Sequence, residues 1–173
     1  VLEDESGFML TPNVKYTWAP KGKTPHVFHW FKQDKVSAVG ALSISPIRKR
    51  IRLFLRFKSR NITSKHIVQF LQYLLRHLQG HVFLVWDGST IHRSKKVTEF
   101  LHRHPRIHTF RFPPYAPELN PIEFFWSQID SDLANGRPAD LGQLSYQLHK
   151  STRKKRSSQK MLRSCLHRSG LFR

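Results

Sequence analysis

The chain predicts a mixed α/β fold, a five-stranded sheet flanked by helices, and three observations lead there. Strand-like runs fill the first sixty residues, the apolar period changes at Ser64, and strands then alternate with helices to about residue 133. A meander of antiparallel strands followed by a βαβαβ pattern implies one sheet of mixed direction.

The early runs are Val1–Leu10, Val14–Trp18, Val27–Phe31, Val36–Ser43 and Arg50–Phe57. They are rich in aromatic and β-branched residues, and Pro12, Pro20, Gly22, Pro25 and Pro46 interrupt them, as expected for short strands joined by turns. Lys21 and Lys23 fall at a predicted hairpin tip. From Ser64, Ile67, Phe70, Leu71, Leu74, Leu75 and Leu78 recur at helical spacing, with Ser64 as the expected cap and Gly80 as the stop. His81–Trp86 reads as a buried strand ending at Asp87, Ser94–Arg103 as a short helix, and Ile107–Phe112 as a strand closed by Pro113 and Pro114. Asn120-Pro121 opens the next helix with a capping residue and a proline at its first position. Ile122, Phe125, Trp126, Ile129 and Leu133 form its inner face, and Gly136 and Pro138 end it. Beyond Asp140 no acidic residue occurs, while Leu141, Leu144, Leu148, Met161, Leu162, Cys165 and Leu166 would pack basic helices against the domain.

A length of 173 residues with 39% hydrophobic content suits one domain with its own core. The charge is less ordinary. Thirty Lys or Arg against eleven Asp or Glu give a formal net charge of +19, a balance that a polyanion neutralises well and that makes nucleic acid the leading partner. No run approaches the roughly 20 apolar residues of a membrane span. The lone Cys165 excludes an internal disulfide and fits a reducing, cytoplasmic and nucleoid-associated location. A start at Val1, within a strand and without an initiator Met, is expected of a fragment.

Against this basic background three carboxylates stand out: Asp4 in the first strand, Asp87 at the end of the strand His81–Trp86, and Glu123 in the first turn of the helix opened by Asn120. Hard carboxylate oxygens suit Mg²⁺ or Mn²⁺, and paired ions could stabilise both oxygens of an in-line displacement at phosphorus. Each acid has a plainer alternative. Glu123 is placed to close a capping box, Asp87 to end a strand beside Gly88, and Asp4 competes with Glu3 and Glu5 through a one-residue change of strand phase. Gly22-Lys-Thr24 lacks the earlier glycine of a phosphate-binding loop, Thr17 standing in its place, and no His-Glu-x-x-His supports zinc.

Asp4-Glu-Ser-Gly-Phe, Trp18-Ala-Pro-Lys-Gly-Lys-Thr-Pro25, Val85-Trp-Asp87-Gly-Ser-Thr-Ile-His92 and Pro113-Pro-Tyr-Ala-Pro-Glu-Leu-Asn-Pro-Ile-Glu123-Phe-Phe-Trp126 together resemble the catalytic domain of DDE transposases. The similarity is to the bacterial insertion-sequence branch of the mariner-type superfamily. It covers about residues 1 to 135, and its most specific part is the Pro-rich block ending at Trp126. One departure is Gly88, where many relatives carry Asn.

The resemblance implies a ribonuclease H-like fold with two Mg²⁺ (or Mn²⁺) ions on Asp4, Asp87 and Glu123. It implies metal-dependent DNA strand cleavage and strand transfer, with transposon ends and target DNA as partners, a homodimer assembled on DNA and no membrane. His92 matches a position beside the site, where it would orient a ligand carboxylate or face a scissile phosphate. Lys21, Lys23, Arg93, Lys95, Lys96, Lys154, Lys155 and Arg156 are candidate backbone contacts. The division expected is a catalytic domain over 1–140 and a basic helical extension over 141–173 packed on it, with the upstream helix-turn-helix region absent. Alternatives are another ribonuclease H-like nuclease and a non-catalytic DNA-binding derivative of a transposase.

Overall fold

The computed structural model describes residues 1–11, 15–24, 26, 34–136 and 138–171. Five strands, β1 (Leu2–Met9), β2 (Lys35–Ile44), β3 (Ile51–Lys58), β4 (Val82–Trp86) and β5 (Ile107–Arg111), form one sheet in the order β3-β2-β1-β4-β5. The pairs β1/β2 and β2/β3 are antiparallel, while β1/β4 and β4/β5 are parallel. This is the mixed sheet expected from the switch in period. β1 therefore lies at the centre, with an acidic tripeptide between two neighbours.

Helices cover both faces, so the middle strands are buried on both sides and lack simple alternation. Helix α1 (Ser64–His77) and helix α2 (Lys95–His102) pack on one face, where Val39, Ala41, Phe54, Leu84 and Trp86 meet Ile67, Phe70, Leu71, Leu74, Val97 and Phe100. Helices α3 (Pro121–Leu133), α4 (Leu141–Arg156) and α5 (Gln159–Arg168) cover the other face. There Leu2, Phe8, Ala38, Leu42 and Leu53 share a core with Ile122, Phe125, Trp126, Ile129, Leu144, Leu148, Leu162, Cys165 and Leu166. Burial raises the Cys165 thiol to about 11, which leaves it an apolar packing group.

Local sequence explains the element ends. α1 is capped by Thr63 and not by Ser64, because Thr63 takes extended backbone and joins His66 in a reciprocal capping box. Carbonyls at its end and just beyond are satisfied from a distance: Arg106 donates to those of Leu75, Leu78 and Gly80. Asn120 caps α3 by accepting from the Ile122 N–H, with Pro121 at the first position. Asp140 and Ser158 cap α4 and α5 in the same way.

The strand expected over Val14–Trp18 does not form across residues 15–18, where Tyr16 and Trp18 are fully exposed and the chain has no regular structure. Aromatic content alone had suggested it; without a partner or a buried face those residues gain nothing from pairing. Lys15 instead ties this segment to the end of α3, donating to Ser131 Oγ at 2.7 Å and to Asn135 Oδ1 at 3.0 Å. The run Val27–Phe31 lies outside the described residues. Pro20 to Lys23 do form a tight turn, closed by Lys23 N–H to Pro20 O at 3.0 Å, with Gly22 at φ +81°. Among the described residues no helix is long and apolar enough to cross a membrane.

Candidate metal centre

Asp4 owes its position to a close approach between sheet and helix. It lies opposite Gly40 on β2, and a Cβ at Gly40 would stand 2.7 Å from two ring atoms of Trp126. Glycine therefore lets the indole approach the strand closely. From there Trp126 donates its Nε1–H to Asp4 Oδ2 at 3.0 Å. Asn120 fastens the start of α3 to the same strand, its Nδ2 reaching the carbonyl of Glu3 at 3.4 Å. Strand phase is thus settled: Asp4 faces α3, and Glu3 and Glu5 turn to the opposite face.

Asp87 follows β4 directly. Its carboxylate accepts from the Ser89 N–H at 2.9 Å and its side chain is 50% exposed, so one edge is open to solvent. Glu123 sits in the first turn of α3 and is exposed. It does not close a capping box, since the Asn120 N–H goes to Pro117 O. Its carboxylate remains at the acidic edge. Burial first, then the charges of Glu123, Glu5 and Asp87, push the Asp4 carboxyl up to about 8. Glu123 is raised as well, by burial, Asp130 and Asp87. The charges of Glu123 and Asp87 thus both act on Asp4.

Carboxylate oxygens of Asp4, Glu5 and Asp87 all lie within 4.8 Å of one another, a spacing at which one cation could be shared. Glu123 stands outside that set but near enough to perturb Asp4. The donors are hard oxygens, and a bound dication would offset the repulsion among these carboxylates. The residues present fit a divalent metal.

His92 is 5% exposed and stacks on Trp86 with ring centroids 4.2 Å apart and planes 5° from parallel. Its Nδ1 lies 3.0 Å from Asp87 Oδ1, and its Nε2 lies 2.9 Å from Glu5 Oε1 and 3.6 Å from Glu3 Oε2. Both ring nitrogens are occupied by carboxylates. Burial acts to lower the His92 pKa, but the hydrogen bond and charge of Glu5 and the contacts with Asp87 outweigh it, and the net shift is upward. Glu3, 1% exposed with both carboxylate oxygens lacking a hydrogen bond, is raised well above the carboxylate range by burial and by its acidic neighbours. Glu3, Glu5 and the Trp126 donor were not singled out from the sequence. A regular alternation of faces along β1 was the one signal for the two glutamates.

The cationic candidates divide. Lys21, Lys23, Arg93, Lys95, Lys96, Lys154 and Arg156 are exposed, and Lys95 pairs loosely with Glu99 at 3.9 Å. Lys155 differs. Its ammonium pairs with Asp132 of α3, which also accepts from Ser151 Oγ at 2.5 Å. The sequence beyond Asp140 holds no acid, but folding brings Asp132, 23 residues upstream of Lys155, to the basic run.

A central sheet of this order, with helices on both faces, defines the ribonuclease H-like fold class. The family model described as "DDE superfamily endonuclease" matches residues 1–145, and the chain belongs to that family. Among solved structures it is similar to the Mos1 transposase paired-end complex with left transposon end, at 16% identity and a TM-score of 0.71, over 95% of this chain and 50% of that one. It is also similar to the Mos1 transposase catalytic domain with raltegravir and Mg, at 13% identity and a TM-score of 0.63, over 97% of this chain and 78% of that one. A Mos1 mariner paired-end complex with Mn matches at 16% identity and a TM-score of 0.71, over 95% and 50%. The chain thus spans about half the length of the paired-end-complex chains. No curated protein sequence matches it. These similarities establish the fold.

Proposed function

We infer that the chain is the catalytic domain of a DNA transposase of the insertion-sequence type, cleaving DNA strands at transposon ends and joining the freed 3′-hydroxyl to a target phosphodiester with release of the target's own 3′-oxygen. The observation that carries this is the clustering of Asp4, Glu5 and Asp87 oxygens within 4.8 Å of one another where a central strand meets the end of its neighbour, with Glu123 of the α3 start close enough for its charge to act on Asp4. Family membership and a net charge of +19 support the same reading.

Asp4, Asp87 and Glu123 would hold two Mg²⁺ or Mn²⁺ ions. Bound there, the ions would supply charge stabilisation to the phosphodiester and a lowered pKa to the attacking water or hydroxyl. The chain's own residues do the rest. Trp126 orients Asp4, and His92, backed by Glu5, fixes one oxygen of Asp87 and leaves the other free. Lys21, Lys23, Arg93, Lys95, Lys96, Lys154 and Arg156 neutralise DNA phosphates, positioning the duplex without reading its sequence. Two copies assemble on paired DNA ends.

The test is metal-dependent nicking of plasmid DNA by wild type and by Asp87→Asn, followed by a strand-transfer assay with a 3′-hydroxyl donor. Nicking and joining by wild type, both lost in the variant, are expected. DNA binding without metal-dependent cleavage would instead favour a non-catalytic derivative, and cleavage without joining a simple nuclease.

A further inference from the structure

The face of the sheet away from α3 carries a groove of about 240 Å³ that none of the cations discussed above lines. Val39 and Phe70 form its apolar floor, and Arg56, Lys58, Gln69 and Arg76 stand around it. Arg56 is held in place: its guanidinium carbon lies 4.3 Å from the centre of the Tyr73 ring. Tyr73 is itself fixed edge-on by Phe54 at 5.7 Å and His77 at 4.6 Å. A stacked guanidinium keeps its N–H groups directed outward with little entropy left to lose on binding.

These cations are unspent. Among the described residues no ion pair engages Arg56, Lys58 or Arg76, and no acidic residue lines the groove. Gln69 and Gln72, both exposed, add neutral donors beside them. Three free cations and two amides around an apolar floor suit an anion with several oxygens and repel cationic or purely apolar ligands. A phosphodiester backbone has that chemistry.

Register places the groove two strands from the acidic tripeptide, on the sheet face that Glu5 shares. Arg56 pairs opposite Val39 on β2, and Val39 pairs opposite Glu5 on β1, the residue after Asp4. Two strand spacings put the Arg56 backbone roughly 10 Å from that position. At about 3.4 Å of rise per nucleotide, this is some three steps along a DNA strand. DNA reacting at Asp4 and Asp87 would bring neighbouring phosphates within reach.

Resting on the function inferred above, we propose that the groove bounded by Arg56, Lys58 and Arg76 is a second DNA-backbone site, holding phosphates that flank the reacting position on the α1 side of the sheet. Its test is the salt dependence of binding of the full chain to a labelled DNA duplex, by fluorescence anisotropy. Each lost phosphate contact lowers the slope of log K against log salt by about 0.9. The pair Arg56→Gln with Arg76→Gln is expected to lower it by about 1.8 and to weaken binding about 30-fold at 0.15 M salt. Arg76→Gln alone, which leaves the Tyr73 stack intact, is expected to remove about half of that slope. Arg52→Gln, on the same strand but outside the groove, is expected to leave binding nearly unchanged, and thermal midpoints measured in parallel identify any misfolded variant.

An unchanged slope in both groove variants would overturn the proposal. So would inorganic phosphate that saturates the groove without weakening duplex binding, which would mark a small-anion site. Wild-type nicking distinguishes the two levels. If wild type cleaves DNA while the groove variants keep the full slope, only the groove assignment fails; if wild type neither binds nor cleaves, both fail.

Discussion

Replacing Gly40 by Ala places a methyl group 2.7 Å from Cη2 and Cζ2 of Trp126 and 2.9 Å from Cδ2 of Leu55. Ordinary carbon contacts lie near 3.5–4.0 Å, so the indole must retreat by about 1 Å. It has nowhere to go: Trp126 is 2% exposed, with Phe8 and Phe125 packed edge-on at 5.9 and 5.4 Å. Overpacking of this sort costs about 1–3 kcal/mol. Carrying Nε1 away from Asp4 Oδ2 breaks a buried hydrogen bond and adds about 1 kcal/mol. The expected loss is thus about 2–4 kcal/mol, or on the order of 10 °C in thermal midpoint for a chain of this size. Urea denaturation measures it directly, and a double-mutant cycle with Trp126→Phe locates it. Phe lacks the outer ring atoms that clash, so the two changes together should cost at least about 1 kcal/mol less than their sum. A Gly40→Ala midpoint within about 2 °C of wild type, or strict additivity in the cycle, would show that Trp126 does not lie against this strand.

Three further outcomes are expected. An Asp carboxyl raised to about 8 favours the folded state while protonated; its stabilisation is complete below the ordinary Asp range near 4 and is lost as pH rises to about 8. The metal-free midpoint should therefore fall across that window, Mn²⁺ should raise it more at pH 8 than at pH 6, and Asp4→Asn should weaken both trends in a calorimetric scan, leaving the share that Glu3 and Glu123, also raised, contribute. His92→Ala should cost about 3–5 kcal/mol in urea denaturation, because it leaves Glu3, Glu5 and Asp87 facing one another without their shared partner. Lys155→Ala should cost at most about 1 kcal/mol, since Asp132 is 43% exposed, and should change the salt slope of DNA binding less than Lys154→Ala does.

Much of the fold was legible because strong local signals agreed. The spacing of Ile67, Phe70, Leu71 and Leu74 describes the buried stripe of α1, and Asn120-Pro121 marks the start of α3 to the residue. Asp4, Asp87 and Glu123 could be named by motif, and their placement along the elements follows from topology. What could not be read depends on contacts between distant residues. The Glu5–His92 bond joins positions 87 apart in the chain, and Asp132 meets Lys155 only after α4 folds back on α3. Nothing in the local sequence of Gly40 announces that it clears space for Trp126. The failed strand at Val14–Trp18 has the converse cause, since residue type favoured pairing while the described part of that segment found no partner strand.

A crystal soaked in Mn²⁺, with anomalous scattering recorded at the manganese edge, bears most directly on the proposed chemistry. Manganese is expected between Asp4 and Asp87, with Glu123 completing the protein ligands as a second ion binds. Manganese absent from that edge, or held solely by Glu3, Glu5 and His92, the other cluster with ligand spacing, would contradict the assignment.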